Sequence, residues 1–345
     1  MPSATFTRVL QVLTDTDASD TNLAALELHA SLTAAGIEMR TLALGPGGSG
    51  QLASVVPVIA PSRRSIAAHT QLREEQRWAQ VMVLRGSQVA SVAALVRGPA
   101  VPVLVLGEEP QMWSEGCRVG MRLRRLASRA AAVVVSWPEA ADTVRSVLGT
   151  DPDRLRVIPT AVPVPVHSTT PAARAAARAM AGVSDERPTV RLLWDSAATM
   201  RSGAVGHADL DIDGFRDSIG AAAVVLSSAL EPELARAATD IVVELDGRAG
   251  PPPELLRSML AGAVAVTPPW PALSGLVIDG VTGRTVDAAS TTDGFARTVL
   301  SLAEHTSQRA QLAAAGTARV AQDRAATELV PRWLDLLSSA LASRP

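Results

Sequence analysis

Short apolar runs rich in Val, Ile and Leu alternate with longer stretches of helical period along most of this chain. Arg8 to Leu13 predicts a strand, Asn22 to Ala35 a helix closed by Gly36, and Ile37 to Leu44 a second strand. Continuous apolar runs of this length suit strands covered on both faces, and the strand–helix–strand order implies parallel strands with crossover helices. Further strands are expected near Val81 to Leu84, Val101 to Leu106 and Ala131 to Val135, and in Arg156-Val-Ile-Pro159. From Pro163 to Pro188 the chain becomes rich in Pro and Ala, which predicts a connector carrying one short helix.

A second alternating series follows. Strands are expected at Thr189 to Trp194, Ala223 to Leu226, Ile241 to Leu245 and Ala263 to Val266, with helices near Pro232 to Ala238 and Glu254 to Ala261. Residues 292 to 343 predict an almost wholly helical tail. The expected organisation is α/β, with two doubly wound, Rossmann-like domains over 1–163 and 188–325, a linker over 164–187 and a terminal helical segment over 326–345. Sheets of this kind bind ligands beyond the carboxyl ends of their strands.

Composition narrows the function classes. The chain has 345 residues, 47% hydrophobic and 19% charged, with a formal net charge of −2, which fits a globular protein and excludes nucleic-acid binding driven by bulk positive charge. There is no lysine, so all 32 basic side chains are arginine. The single cysteine, Cys117, has no partner for a disulfide and no neighbour at zinc-ligand spacing. With no secretory pattern at the N-terminus and no apolar run reaching the ~18 residues of a membrane span, a cytoplasmic protein is expected, with any membrane contact peripheral at the inner face of the plasma membrane.

Several segments carry a resemblance in order and spacing. They are Leu10 to Leu44, Ala131-Ala-Val-Val-Val-Ser136 with Arg154-Leu-Arg-Val-Ile-Pro159, Asp240-Ile-Val-Val243, Glu254-Leu-Leu-Arg-Ser-Met-Leu-Ala-Gly262 and Asp279-Gly-Val-Thr-Gly283. Together they resemble the family-4 retaining glycosyltransferases of the GT-B fold, over nearly the whole chain. The resemblance implies an acceptor-side domain and a donor-side domain facing across a cleft, with the last helix crossing back to the first domain. It implies transfer of a sugar, with retention, from a nucleotide-sugar to a glycan or lipid-linked acceptor in bacterial surface polysaccharide or glycolipid synthesis. Neither a metal nor a cofactor is expected, and nucleic acid is not an expected partner.

The chain departs from that pattern at the catalytic signature. Counting back from Gly262, the family's two glutamates, separated by seven residues, fall at Ala249 and Arg257. The donor-binding candidates are therefore Ala249, Gly250 and Arg257, with Glu254 one turn before Arg257 able to reach the ribose in a shifted register. Arg201 is the candidate for the donor's pyrophosphate, and Glu108 or Glu109 stands where the family has an acceptor-side histidine. Arg85 occupies the place of a second histidine, and Thr21 and Asn22 open the helix that follows the sugar-side loop, as phosphate or acceptor contacts. Loss of both glutamates sustains an alternative: a catalytically inactive homologue acting as partner or regulator of an active glycosyltransferase, or as a glycan-binding protein.

Other signals have ordinary readings. Gly45-Pro-Gly-Gly-Ser-Gly50 fits a dinucleotide fingerprint but opens no long helix, so a plain glycine loop is expected and a dehydrogenase is disfavoured. Asp209 to Asp217 matches the first half of a calcium loop, yet Gly220 stands where the closing glutamate belongs, which leaves a solvated acidic turn. Arg118, Arg122, Arg125 and Arg129 recur at helical spacing and form a candidate surface for anionic lipid or acceptor. The five histidines show no metal-binding spacing, and no serine-hydrolase elbow is present.

Overall fold

The computed structural model describes residues 7–63, 65–106, 118–162, 170–183, 186–193, 211–245, 252–287 and 292–343. Contacts divide the chain into two units, Met1–Ala161 with Ala326–Pro345, and Val162–Ala325.

Unit 1 is built on a parallel sheet of β1 (Arg8–Leu13), β2 (Glu38–Ala43), β3 (Val81–Arg85), β4 (Val101–Leu106), β5 (Ala132–Val135) and β6 (Leu155–Val157), in the order β2-β1-β3-β4-β5-β6. The strand order reverses between β1 and β3, which makes their carboxyl ends the switch point of the sheet. The helices are α1 (Asp20–Ala34), α2 (Ile66–Trp78), α3 (Ser87–Ala93), α4 (Arg118–Ala127) and α5 (Pro138–Leu148). α5 starts with Pro138 in its first turn and stops at Gly149, whose φ of 65 lies in the left-handed region that glycine enters without strain. Unit 1 also takes the final helix of the chain, over Ala326–Ala342. Its Leu329, Trp333 and Leu337 pack on Val9, Val81 and Val103 of the sheet and on Leu28 and Leu32 of α1.

Unit 2 repeats the plan. Its strands β7 (Thr189–Leu193), β8 (Val224–Val225), β9 (Ile241–Glu244), β10 (Val264–Thr267) and β11 (Arg284–Thr285) are ordered β11-β10-β9-β7-β8, with the reversal between β7 and β9. The helices are α6 (Pro171–Met180), α7 (Ile212–Ile219), α8 (Pro232–Ala238), α9 (Pro253–Leu260), α10 (Thr292–Glu304) and α11 (Thr306–Arg324), and the final helix of unit 1 is α12. Period-2 alternation divides the core: Val190, Ile241 and Val243 face Phe215 and Phe295, whereas Val242 and Ala265 face Leu255, Met259 and Val320.

The short helix expected in the connector is present, and one acidic stretch differs from its sequence expectation. The helix of the Pro- and Ala-rich connector, α6, packs into unit 2, where Arg174 donates to Thr239 O and Ala261 O at 2.7 Å each and Arg178 pairs with Asp240 at 2.8 Å. The acidic stretch read as a turn is instead a helix and its cap. Asp211 accepts from Gly214 N at 2.9 Å and starts α7, whose Phe215 and Ile219 are buried. Residues 209 and 210 lie outside the described residues. Among the described residues no helix is long and apolar enough to cross a membrane.

Candidate functional site

The switch point of unit 1 holds a buried cation. Arg85 ends β3 and is only 8% exposed, and its Nε donates to Gln11 Oε1 of β1 at 2.9 Å. Gln11 is fixed in turn by donating its Nε2 to Ala25 O of α1 and to Thr41 Oγ1 of β2, at 2.9 and 3.0 Å. Burial lowers the Arg85 pKa to about 10, and among the described residues no carboxylate faces it. A fixed guanidinium of this kind, at the carboxyl end of a central strand, attracts an anionic group.

The loop before α1, read as a phosphate or acceptor contact, and the glycine loop, read as plain, are both occupied by the chain's own side chains. Ser19 Oγ caps α1 by accepting from Asn22 N at 3.3 Å, and the Asn22 amide donates to Asp15 O, Asp15 Oδ1 and Asp17 O. Thr21 is exposed beside this cap. The glycine loop closes on the Asp17 carboxylate, which accepts from Gly48 N at 3.0 Å, Ser49 N at 2.7 Å, Ser49 Oγ at 2.8 Å and Gly50 N at 3.1 Å. A Cβ on Gly47 would lie 2.1 Å from Asp17 Oδ1, so only glycine lets the loop come this near. The Ser49 hydroxyl and the loop amides bring the Asp17 pKa down to about 2.

In unit 2 several charged groups gather around Glu254. Glu254, in the first turn of α9, accepts from Arg236 Nη1 at 2.9 Å on both oxygens and from Arg257 Nη1 at 2.9 Å, and pairs with Arg191 Nη2 of β7 at 3.1 Å. Burial pushes the Glu254 carboxyl upward, and Arg236, Arg257 and Arg191 outweigh it, leaving the pKa below the usual range. Arg236 also pairs with Glu233 at 2.6 Å, so the guanidiniums of Arg191, Arg236 and Arg257 share two carboxylates near the first turns of a helix, where the backbone dipole favours negative charge. Arg191 Nη1 is buried without a hydrogen-bond partner. Nearby in the sheet, Glu244 ends β9 opposite Leu193 and is 1% exposed.

These placements extend the residues inferred from sequence. Arg257 and Glu254 are brought together, and Arg191 and Arg236 join them; the signal for Arg191 was a lone charge inside the strand Thr-Val-Arg-Leu-Leu. Gln11, likewise a polar residue within an apolar strand, had not been singled out. Arg201, Glu108, Glu109, Ala249 and Gly250 lie outside the described residues. Of the arginine series, Arg122 is half-buried, Arg125 is exposed, and the Arg118 side chain is not among those described. Arg129 lies past the end of α4 and donates to Ala93 O at 2.8 Å and Val96 O at 3.2 Å, so helix-terminal carbonyls hold it back from solvent. Among the described residues there is no group of three or more His, Cys, Asp or Glu placed to hold a metal.

No protein-family model and no curated protein matches the sequence. Solved structures do match in fold. HepE from Anabaena in complex with UDP-glucose superposes with a TM-score of 0.75 at 14% identity, covering 96% of this chain and 99% of its own. Sucrose-phosphate synthase from Thermosynechococcus elongatus gives 0.71 at 12% identity, covering 98% and 100%. WaaG, a glycosyltransferase involved in lipopolysaccharide biosynthesis, gives 0.64 at 12% identity, covering 96% and 99%. Two parallel sheets of switch-point topology, matched along their length to these enzymes, give the chain the GT-B glycosyltransferase fold.

Proposed function

We propose that the chain is a glycosyltransferase that moves a sugar from a nucleotide-sugar donor, held by unit 2, to an acceptor carrying an anionic group, held by unit 1. The observation that carries this reading is the match in fold, over nearly all of both chains, to a structure in complex with UDP-glucose. The arrangement of unit 2 supports it: the arginines around Glu254 give the first turns of α9 the positive charge that a donor diphosphate requires. In unit 1, Arg85 supports an acceptor bearing phosphate or carboxylate, in keeping with a glycan or lipid-linked acceptor.

In the transfer the bond from the anomeric carbon to the diphosphate oxygen breaks and a bond to the acceptor hydroxyl oxygen forms. The hydroxyl proton leaves with the nucleoside diphosphate. Retention, as the sequence resemblance implies, places entry and departure on one face of the sugar and asks for orientation and for stabilisation of the departing phosphate rather than an enzyme nucleophile. Arg257, and Arg201 by the same resemblance, are the residues proposed for that stabilisation. Release of nucleoside diphosphate from a panel of nucleotide-sugars, with and without phosphorylated glycan or lipid acceptors, tests the proposal. Release above the uncatalysed rate with one donor supports it; background release across donors and acceptors overturns it.

A further inference from the structure

Unit 1 carries a second basic feature away from its switch point. Two adjoining hollows of about 520 and about 340 Å³ share Val96, Arg97 and Arg125 in their walls. The larger reaches Met82 and Pro102, the second residues of β3 and β4, and so lies toward the amino ends of these strands, while Arg85 lies at the carboxyl end. The smaller runs along α2 past His69 and Arg73.

The walls are cationic and contain no aspartate or glutamate among the described residues. Arg174, Arg178 and Arg236 elsewhere are paired with carboxylates, but Arg73, Arg97 and Arg125 make no side-chain hydrogen bond or ion pair with described residues. Arg129 borders the larger hollow, and burial together with Arg125 and Arg97 lowers its pKa, a sign of like charges crowded without a counter-charge. A separate observation comes from His69. Its Nδ1 donates to Ser65 O at 3.0 Å, and its Nε2 is buried with no hydrogen-bond partner. Cations converging on a hollow lack a group that accepts several hydrogen bonds and carries negative charge, and the His69 Nε2, an acceptor in this tautomer, suits a protonated oxygen of such a group.

We propose that this groove is a binding site for a phosphate-type polyanion, with Arg97 and Arg125 as principal contacts and Arg73 completing the grip. The hollows fall in the size range of small-molecule sites and accommodate a pyrophosphate together with part of the body that carries it. The planar guanidinium fork matches phosphate oxygens in pairs, which is the recognition arginine performs better than any other side chain. The site is independent of donor binding, because its residues belong to α2, α4 and the segment joining α3 to β4.

Titration calorimetry of the full chain with inorganic pyrophosphate tests the site, using the parent and the Arg97→Gln/Arg125→Gln double variant. Both arginines are exposed and without partners among the described residues, so the variant is expected to fold, with an unchanged melting temperature as the control. The expected result is saturable binding by the parent and at least tenfold weaker binding by the variant. A second arm separates the sources of the phosphate: co-sedimentation with phosphatidylglycerol vesicles, lost in the same variant and competed by pyrophosphate, assigns a lipid headgroup, whereas pyrophosphate binding without vesicle binding assigns a soluble phosphate. No saturable pyrophosphate binding by the parent, or equal binding by parent and variant, overturns the proposal.

Discussion

Arg257 Nη1 lies 2.9 Å from Glu254 Oε1, one turn earlier on α9. The Glu254 carboxylate is held by arginines of β7, α8 and α9. Replacing Glu254 by Gln leaves those guanidiniums facing one another. Removing one partner of a buried ion pair costs about 3–5 kcal/mol, and the 27% exposure of the Glu254 side chain moves the expectation to the lower end of that range. Urea denaturation of Glu254→Gln measures it, and a midpoint equal to that of the parent contradicts a structural role for the cluster.

Arg257→Gln tests the donor side of the same cluster. A charge-assisted hydrogen bond to a diphosphate contributes about 1.5–3 kcal/mol, so nucleoside-diphosphate affinity is expected to fall by about tenfold or more. Unchanged affinity in a folded variant removes Arg257 from the donor site.

The Gln11–Arg85 bond makes a sharper stability prediction. Gln11→Leu leaves the buried Arg85 Nε without its acceptor, at a cost of about 1–3 kcal/mol, whereas the double change Gln11→Leu/Arg85→Met removes both polar groups and is expected to lie closer to the parent than the single change does. A double-mutant cycle on chemical denaturation reads the difference, and simple additivity contradicts the coupling.

Asp17 gives a pH dependence. Its folded pKa, about 2, lies below the ordinary 3.8, so its contribution is present above about pH 4 and is lost as pH falls through about 2. Protection of the Gly48, Ser49 and Gly50 amides, relative to their intrinsic exchange rates, is expected to fall across that window, and Asp17→Asn is expected to show low protection already at neutral pH. Equal protection in parent and variant at neutral pH counts against the clasp.

Much of the fold was legible in the chain. The runs Arg-Val-Leu-Gln-Val-Leu and Val-Pro-Val-Leu-Val-Leu mark β1 and β4 because strands covered on both faces need apolar residues at every position. α2 escaped notice because polar residues such as Gln71, Glu74 and Glu75 outnumber its buried Ala68 and Leu72, leaving a thin apolar stripe. The candidate site was legible only in part. Register supplied Arg257 and Glu254, but the partners Arg191 and Arg236 come from a strand and a helix brought near by the sheet order β9-β7 rather than by sequence distance. The glycine loop shows the reverse case: its backbone amides do form an anion cradle, and the anion is the chain's own Asp17.

The central claim is that unit 2 holds a nucleotide-sugar. Titration calorimetry of the full chain with uridine, guanosine and adenosine diphosphates and their sugars tests it most directly. The account predicts saturable binding of one nucleotide series, weakened about tenfold or more by Arg257→Gln. Absence of saturable binding to every member of the panel contradicts it.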